Sequence, residues 1–279
     1  MKGFLIVNKP AGITSFDAVK KAKSILKEKK IGHVGTLDPF AEGVLILALG
    51  RYTKLFFLFD DMPKEYIAVG VFGESRDTDD INGNILKVSD KKNILSFTEL
   101  ENIIKKNFLG NIIQKPPIYS AKRINGRRAY NMARENIDFE IKSVNVCVND
   151  IELLEYNYPF FKIKTSVSKG TYIRAIIRDI GEITGNFAYT KELRRTAIGD
   201  FTTDKACNLN DISNKNIEIK IMENENVIKQ ILCGNTKMIE NFDFNYIKDK
   251  YLALINKENN LIALIKNEKN KNIFAFINS

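Results

Sequence analysis

The sequence predicts a mixed α+β domain followed by a small β domain, and three observations carry that expectation. Apolar runs of strand length recur through about the first 200 residues, continuous in Val44–Leu49 and apolar on both faces in Lys64–Phe72. Between them lie amphipathic stretches opened by helix-capping pairs, Thr14 with Asp17 and Ser96 with Glu99. After Phe201 the composition shifts: Asn and Lys rise over Asn208–Asn226, a linker-like region, and short apolar runs then alternate with polar breaks.

Taken in order, Phe4–Val7 reads as a short strand stopped by Asn-Lys-Pro-Ala-Gly. Beyond the first capping pair, Phe16, Val19, Ala22 and Leu26 form one helical stripe with lysines on the other face. Lys64–Phe72, apolar on both faces, belongs at the centre of a sheet. The helix opened by Ser96 runs to about Phe108. Ile141–Leu154 and Phe160–Val167 alternate as strands do. Thr171–Thr184 is a helix with Ile173, Ile176, Ile177 and Ile180 on its apolar side. In the C-terminal part, Tyr251–Ile255, Leu261–Ile265 and Ile273–Ile277 are strand candidates, separated by Asn259-Asn260 and Asn270–Asn272.

The bulk numbers bound the function. A chain of 279 residues, 44% hydrophobic, can bury a sizeable core. Lys and Arg number 43 against 34 Asp and Glu, a net charge of +9, with a pI near 9.2. That charge suits a polyanion partner, and equally an ordinary basic surface. Three separated cysteines, Cys147, Cys207 and Cys233, do not make a disulfide framework and fit a reducing compartment. There is no CxxC or HxxxH spacing, no Walker A and no GxGxxG, and His33 is the single histidine. The N-terminus does not read as a signal peptide, and no apolar run approaches 18 residues.

Two segments stand out. In Ile31-Gly-His-Val-Gly-Thr-Leu-Asp-Pro-Phe-Ala-Glu-Gly-Val44, one carboxylate, Asp38, sits in a Gly-rich turn just before a buried strand. A carboxylate is ionised at neutral pH without a partner base, so it can serve as a nucleophile; Asp-Pro is also an ordinary turn dipeptide. Gln114–Arg134 packs six Lys or Arg and two Tyr into 21 residues. Cations for phosphates and rings for bases suit RNA, and a solvated loop with a helix from Arg127 onward is the other reading. Arg174 is either a solvated charge or a bidentate partner for a carboxylate.

Several blocks together resemble the TruB family of tRNA pseudouridine synthases. They are Asn8-Lys-Pro-Ala-Gly-Ile-Thr-Ser15, Gly32-His-Val-Gly-Thr-Leu-Asp-Pro39, Lys64-Glu-Tyr66, Asp77-Thr-Asp-Asp80 with Gly83, Pro116-Pro-Ile-Tyr-Ser-Ala121 with Gly126-Arg-Arg-Ala-Tyr130, Ser168-Lys-Gly-Thr-Tyr-Ile-Arg174 and Leu193-Arg-Arg195. They occur in family order over about residues 3–201. Three departures, Ile46, Tyr52 and Val167, remove no side chain assigned to chemistry.

The resemblance implies a mixed, mainly antiparallel sheet over 1–222, carrying the active-site cleft, with an RNA-contacting insertion at 114–140. A small C-terminal domain, 223–279, would be an RNA-binding module of PUA-like type. It implies conversion of uridine 55 in the T arm of tRNA to pseudouridine, a cytoplasmic reaction needing no cofactor, metal, guide RNA, membrane or obligatory protein partner. Asp38 would be the nucleophile. Tyr66 would stack on the flipped uracil and take part in the closing proton transfer, and Arg174 would pair with Asp38 and hold it charged. Leu193 would wall the base pocket, and His33 would fill the space vacated by the extruded nucleotide. Lys9 and Asp80 would support the site; Lys115, Lys122, Arg123, Arg127 and Arg128 would contact RNA. The remaining alternatives are an RNA-binding or tRNA-folding protein, a guide-dependent synthase, and the same chemistry on another RNA.

Overall fold

In this computed structural model the residues described are 3–90, 92–120, 122–124, 126–135 and 137–212, with the strand backbones 251–255, 261–268 and 271–276. The chain runs through β1 (Gly3–Lys9), α1 (Ser15–Leu26), β2 (Ile31–Val34) and β3 (Glu42–Leu49). A 3-10 stretch, Gly50–Phe59, leads to β4 (Lys64–Phe72) and a hairpin of β5 (Glu74–Arg76) and β6 (Ile85–Val88). Then come α2 (Phe97–Phe108), β7 (Gly110–Gln114), the two-residue strands β8 (Arg123–Ile124) and β9 (Arg127–Arg128), and α3 (Ala129–Arg134). The long hairpin β10 (Val144–Asn157) and β11 (Phe160–Val167) precedes α4 (Ile173–Ile183), β12 (Ala188–Ile198), β13 (Phe201–Thr202) and β14 (Cys207–Asn208). In the C-terminal part, β15 (Tyr251–Ile255), β16 (Leu261–Glu268) and β17 (Lys271–Phe276) form an antiparallel sheet of their own, one strand for each expected run. The boundary expected at 222/223, and most of the linker region before it, lie outside the described residues.

One ten-stranded sheet organises the larger part, in the order β14-β1-β3-β12-β4-β11-β10-β7, with β2 added to β3 and β13 to β12. Only the β1–β14 and β3–β12 pairs are parallel, so the sheet is mixed and mainly antiparallel. β4 is flanked by β11 and β12, the central place its two-sided apolar pattern implied.

Strand alternation divides the core. On β1 and β3, Leu5, Val7, Leu45, Leu47 and Leu49 face the cluster under α1, while Phe4, Ile6, Val44, Ile46 and Ala48 face Phe59 of the 3-10 stretch. A third cluster joins Tyr66, Ala68, Phe161, Ile163 and Leu193 to Leu100, Ile104 and Phe108 of α2 and to the four isoleucines of α4. Each such buried isoleucine contributes roughly 1.5–3 kcal/mol, enough to hold α4 firmly against the sheet. Both capping boxes form: Thr14 and Ser96 each accept from the backbone three residues on, and Asp17 and Glu99 accept in return. Phe16 departs from the expected stripe. It is 58% exposed, because Ala18, Val19 and Ala22 already fill the face toward the sheet. Lys20 lies over its ring instead.

Candidate active site

Asp38 lies in the connection between β2 and β3, and the surroundings pin that connection at almost every residue. Ser15 Oγ accepts from Leu37 N at 2.8 Å and donates to Leu37 O at 3.0 Å. Gly12 N donates to Pro39 O at 2.8 Å, and Ala41 N to Asp38 O at 3.1 Å. The buried Arg195 guanidinium donates from Nη2 to Gly35 O and from Nε to Val44 O, both at 2.8 Å, clamping the two ends of the turn together. Leu37 and Ala41 sink into the same apolar cluster as Tyr66 and Leu193, so the residues flanking Asp38 point inward. The Asp38 side chain itself is 34% exposed, the usual arrangement for a group that must meet a substrate from a rigid scaffold.

Lys9, at the end of β1, is fully buried and donates through Nζ to Pro10 O at 2.9 Å, Ile13 O at 2.7 Å and Pro39 O at 3.5 Å. It therefore braces the Asp38 turn from behind. Burial pushes its ammonium down to about 8, opposed by Asp38 and reinforced by Arg195. Between pH 8 and 10.5 the unfolded chain holds a proton that folded Lys9 gives up, so this residue makes the protein more stable as pH rises through that range. Urea unfolding of wild type and Lys9→Met at both pH values checks this: the difference between them should move in favour of wild type by about 3 kcal/mol.

Arg174 resolves the choice the sequence left open. It is 3% exposed and is a partner for carboxylates, not a solvated charge. Its Nε contacts Asp38 Oδ2 at 2.9 Å, and Nη1 lies 3.4 Å from Asp80 Oδ2. Nη1 also donates to Thr78 O at 2.5 Å and Nη2 to Tyr119 O at 3.0 Å. A buried guanidinium is tolerable only with such complete pairing. Burial pushes the Asp80 carboxyl up, against the pull of Arg174; Thr78 Oγ1 and Asn82 N also bond this carboxylate.

Tyr66 on β4 and Leu193 on β12 are buried in adjacent central strands, where Leu193 pairs with Ala68 and Arg195 with Tyr66. His33 on β2 places Nε2 3.3 Å from Thr36 Oγ1, on the approach to the Asp38 turn. The basic segment is only partly helical: α3 begins at Ala129, because Arg127 and Arg128 pair as β9 with β8. Lys115 is exposed, Lys122 Nζ donates to Lys142 O at 2.8 Å, and Arg127 pairs with Glu135 across solvent. Arg123 and Arg128 face each other in the backbone register of that small hairpin.

Three further groups, Ser15, Arg195 and Gln114, shape the site. Ser15 and Arg195 belong to quoted blocks, but only the fold shows them holding the Asp38 turn. Gln114, 1% exposed, accepts from Tyr172 N at 2.8 Å and donates to Tyr172 O at 3.1 Å, fixing the entry to α4. In the sequence, only its place just before Lys115-Pro-Pro set this Gln apart. Burial pushes the Tyr172 hydroxyl up, the Ser120 hydroxyl opposes the rise, and the Asp38 carboxylate adds to it.

Known proteins resemble this chain in sequence and in fold. The family described as TruB family pseudouridylate synthase (N terminal domain) matches residues 23–173, and the tRNA pseudouridylate synthase B C-terminal domain matches 174–235. The tRNA pseudouridine synthase B of Caldicellulosiruptor saccharolyticus is 40% identical over 242 residues, 84% of this chain and 83% of that protein. Its counterpart in Clostridium tetani is 43% identical over 230 residues, covering 82% and 79%. In the crystal structure of a Cbf5-Nop10-Gar1 complex, a chain with TM-score 0.62 and 23% identity matches 95% of this one and 78% of its own length, a likeness of fold. With a profile match over more than half its length and such relatives over most of it, the chain belongs to the TruB family of pseudouridine synthases.

Proposed function

We propose that this protein isomerises uridine 55 in the T arm of tRNA to pseudouridine, with Asp38 as nucleophile and the target base flipped out of its loop. The relatives named tRNA pseudouridine synthase B support tRNA as substrate. The observation that carries the assignment of roles is the geometry of Asp38: a part-exposed carboxylate on a pinned turn, held through Oδ2 by a buried arginine. The reaction breaks the N1–C1′ bond, rotates the uracil and joins C5 to C1′; the proton lost from C5 is balanced by one gained at N1. Asp38 assists by attacking C6 of the ring or C1′ of the sugar, or by taking a proton from the sugar. Arg174 aims the carboxylate, Tyr66 and Leu193 line the pocket for the flipped base, and His33 takes the space the base leaves in its loop. Lys9 and Asp80 brace Asp38 and Arg174. The protein works alone, in the cytoplasm, without guide RNA, metal or cofactor, and 223–279 serves as a PUA-like RNA-binding domain.

The test is mass spectrometry of unmodified tRNA transcript treated with purified protein, after chemical labelling of pseudouridine. One pseudouridine at position 55 is expected. Tight binding without product would favour a binding protein or a missing partner, and product elsewhere would overturn the site but keep the chemistry.

The segment 114–140 is an RNA-contacting flap in this reading. The Arg127–Glu135 pair does not oppose that role, since an exposed ion pair is worth under about 1 kcal/mol and yields readily to a phosphate. Replacing Lys115, Lys122 and Arg127 by Gln should weaken tRNA binding and lower the slope of log K against log salt by about 1 per lost contact. An unchanged slope in a filter-binding titration would show that the flap does not touch phosphates.

A further inference from the structure

Beside the Asp38–Arg174 pair lies a second, part-buried ion pair that nothing above assigns. Arg178 follows Arg174 by four residues and so lies on the same face of α4, one turn along. Its Nη1 contacts Asp79 Oδ2 at 2.9 Å, Nη2 donates to Lys115 O at 2.9 Å, and Nε donates to Asp179 Oδ1 at 2.8 Å. Asp79 and Asp80 are neighbours in sequence, and in extended backbone neighbouring side chains point to opposite faces. Here both meet α4, Asp79 at Arg178 and Asp80 at Arg174. The reason is backbone: Asp79 has φ 58°, a left-handed conformation that Asp tolerates better than most residues and that breaks the alternation. The turn carrying both carboxylates is tied to β12 by Thr190 N donating to Asp79 O and Ile81 N donating to Thr190 O, each at 3.0 Å.

Resting on the reading of Asp38 and Arg174 above, we infer that Arg178 and Asp79 are positioning residues for the isomerisation, a second rung that sets the register of the first. Two rungs stop the 77–81 turn from rotating, so Asp80 is presented to Arg174 and Arg174 to Asp38. The same two arginines hold the root of the flap, Arg178 through Lys115 O and Arg174 through Tyr119 O. The flap root and the nucleophile are thus aligned by one helix face. Burial raises the Asp79 carboxyl to about 6 against the pull of Arg178, so the pair is held by its surroundings at a cost, as positioning pairs often are.

The experiment measures single-turnover rate at saturating tRNA transcript, tRNA affinity and thermal unfolding for Arg178→Met, Asp79→Gly, their double variant and Arg178→Lys. Asp79→Gly keeps the left-handed backbone free of strain while removing the pair. At temperatures where each variant is fully folded, both single variants should lose about 30- to 100-fold in rate, with tRNA affinity within about 3-fold of wild type. The double variant should be no slower than the worse single one. Arg178→Lys should lose less, about 10-fold, because one ammonium reaches Asp79 but cannot also span Asp179 and Lys115 O. Folded Asp79→Gly and Arg178→Lys with rates within 3-fold of wild type would overturn the inference even if Arg178→Met does not fold. Asp38→Asn is run beside them: if it is active, the underlying reading of the site has failed, whereas if it is inactive and the second-rung variants are normal, only this inference has.

Discussion

Asp38→Asn should lower pseudouridine formation by at least about four orders of magnitude while tRNA binding stays within about 3-fold of wild type. The substitution keeps the shape of the side chain, and its amide oxygen can still accept from Arg174 Nε. What disappears is the negative charge and nucleophilicity. The fold should tolerate this, because Asp38 is a third exposed and Arg174 retains Asp80, Thr78 O and Tyr119 O. A single-turnover assay together with a filter-binding titration separates the two effects. Near-normal product from the variant would remove Asp38 from the mechanism.

Gly43→Ala should have the largest effect on stability, on the order of 4 kcal/mol, and should inactivate what still folds. Gly43 leaves the Asp38 turn at the start of the parallel pairing between β3 and β12, where it sits opposite Arg195. A Cβ there would lie 2.1 Å from Arg195 O and 2.9 Å from its C and N, all backbone atoms. The φ of 110° adds strain for any side chain. Relief requires parting β3 from β12, which also withdraws the Arg195 clamp from Gly35 and Val44. Gly73→Ala is the control: φ is 118°, but no heavy atom beyond its own and the two adjacent residues lies within 4 Å of its Cβ position. Urea unfolding should show a loss of about 1–3 kcal/mol for that variant, with activity intact. Equal losses at the two glycines would mean that backbone strain alone, and not contact with β12, governs Gly43.

The local elements were legible because their causes are local. A two-sided apolar run makes a central strand, so Lys64–Phe72 appears as β4 with those same ends. A capping box satisfies helix N–H groups within four residues, so Thr14 and Ser96 mark the starts of α1 and α2. Phe16 was misplaced because periodicity says which residues share a face but not how much of that face the sheet covers. The start of α3 was misplaced because β8 and β9 compete for the same residues through a pairing that helix propensity does not register.

The chemistry divides along the same line. Ordered motifs and composition, by themselves, determined the family, the basic surface, the nucleophile candidate and most of the strands and helices, since each depends on residue type and short-range spacing. Only the tertiary structure decided what holds Asp38, the candidate nucleophile: whether Arg174 is solvated or paired, that Lys9 braces Pro39, that Arg195 clamps a carbonyl 160 residues away, and that Asp79 and Asp80 meet two turns of one helix. Those contacts join distant segments through a mixed sheet. Their energies depend on burial and distance, which a sequence acquires only when its strands have found their neighbours.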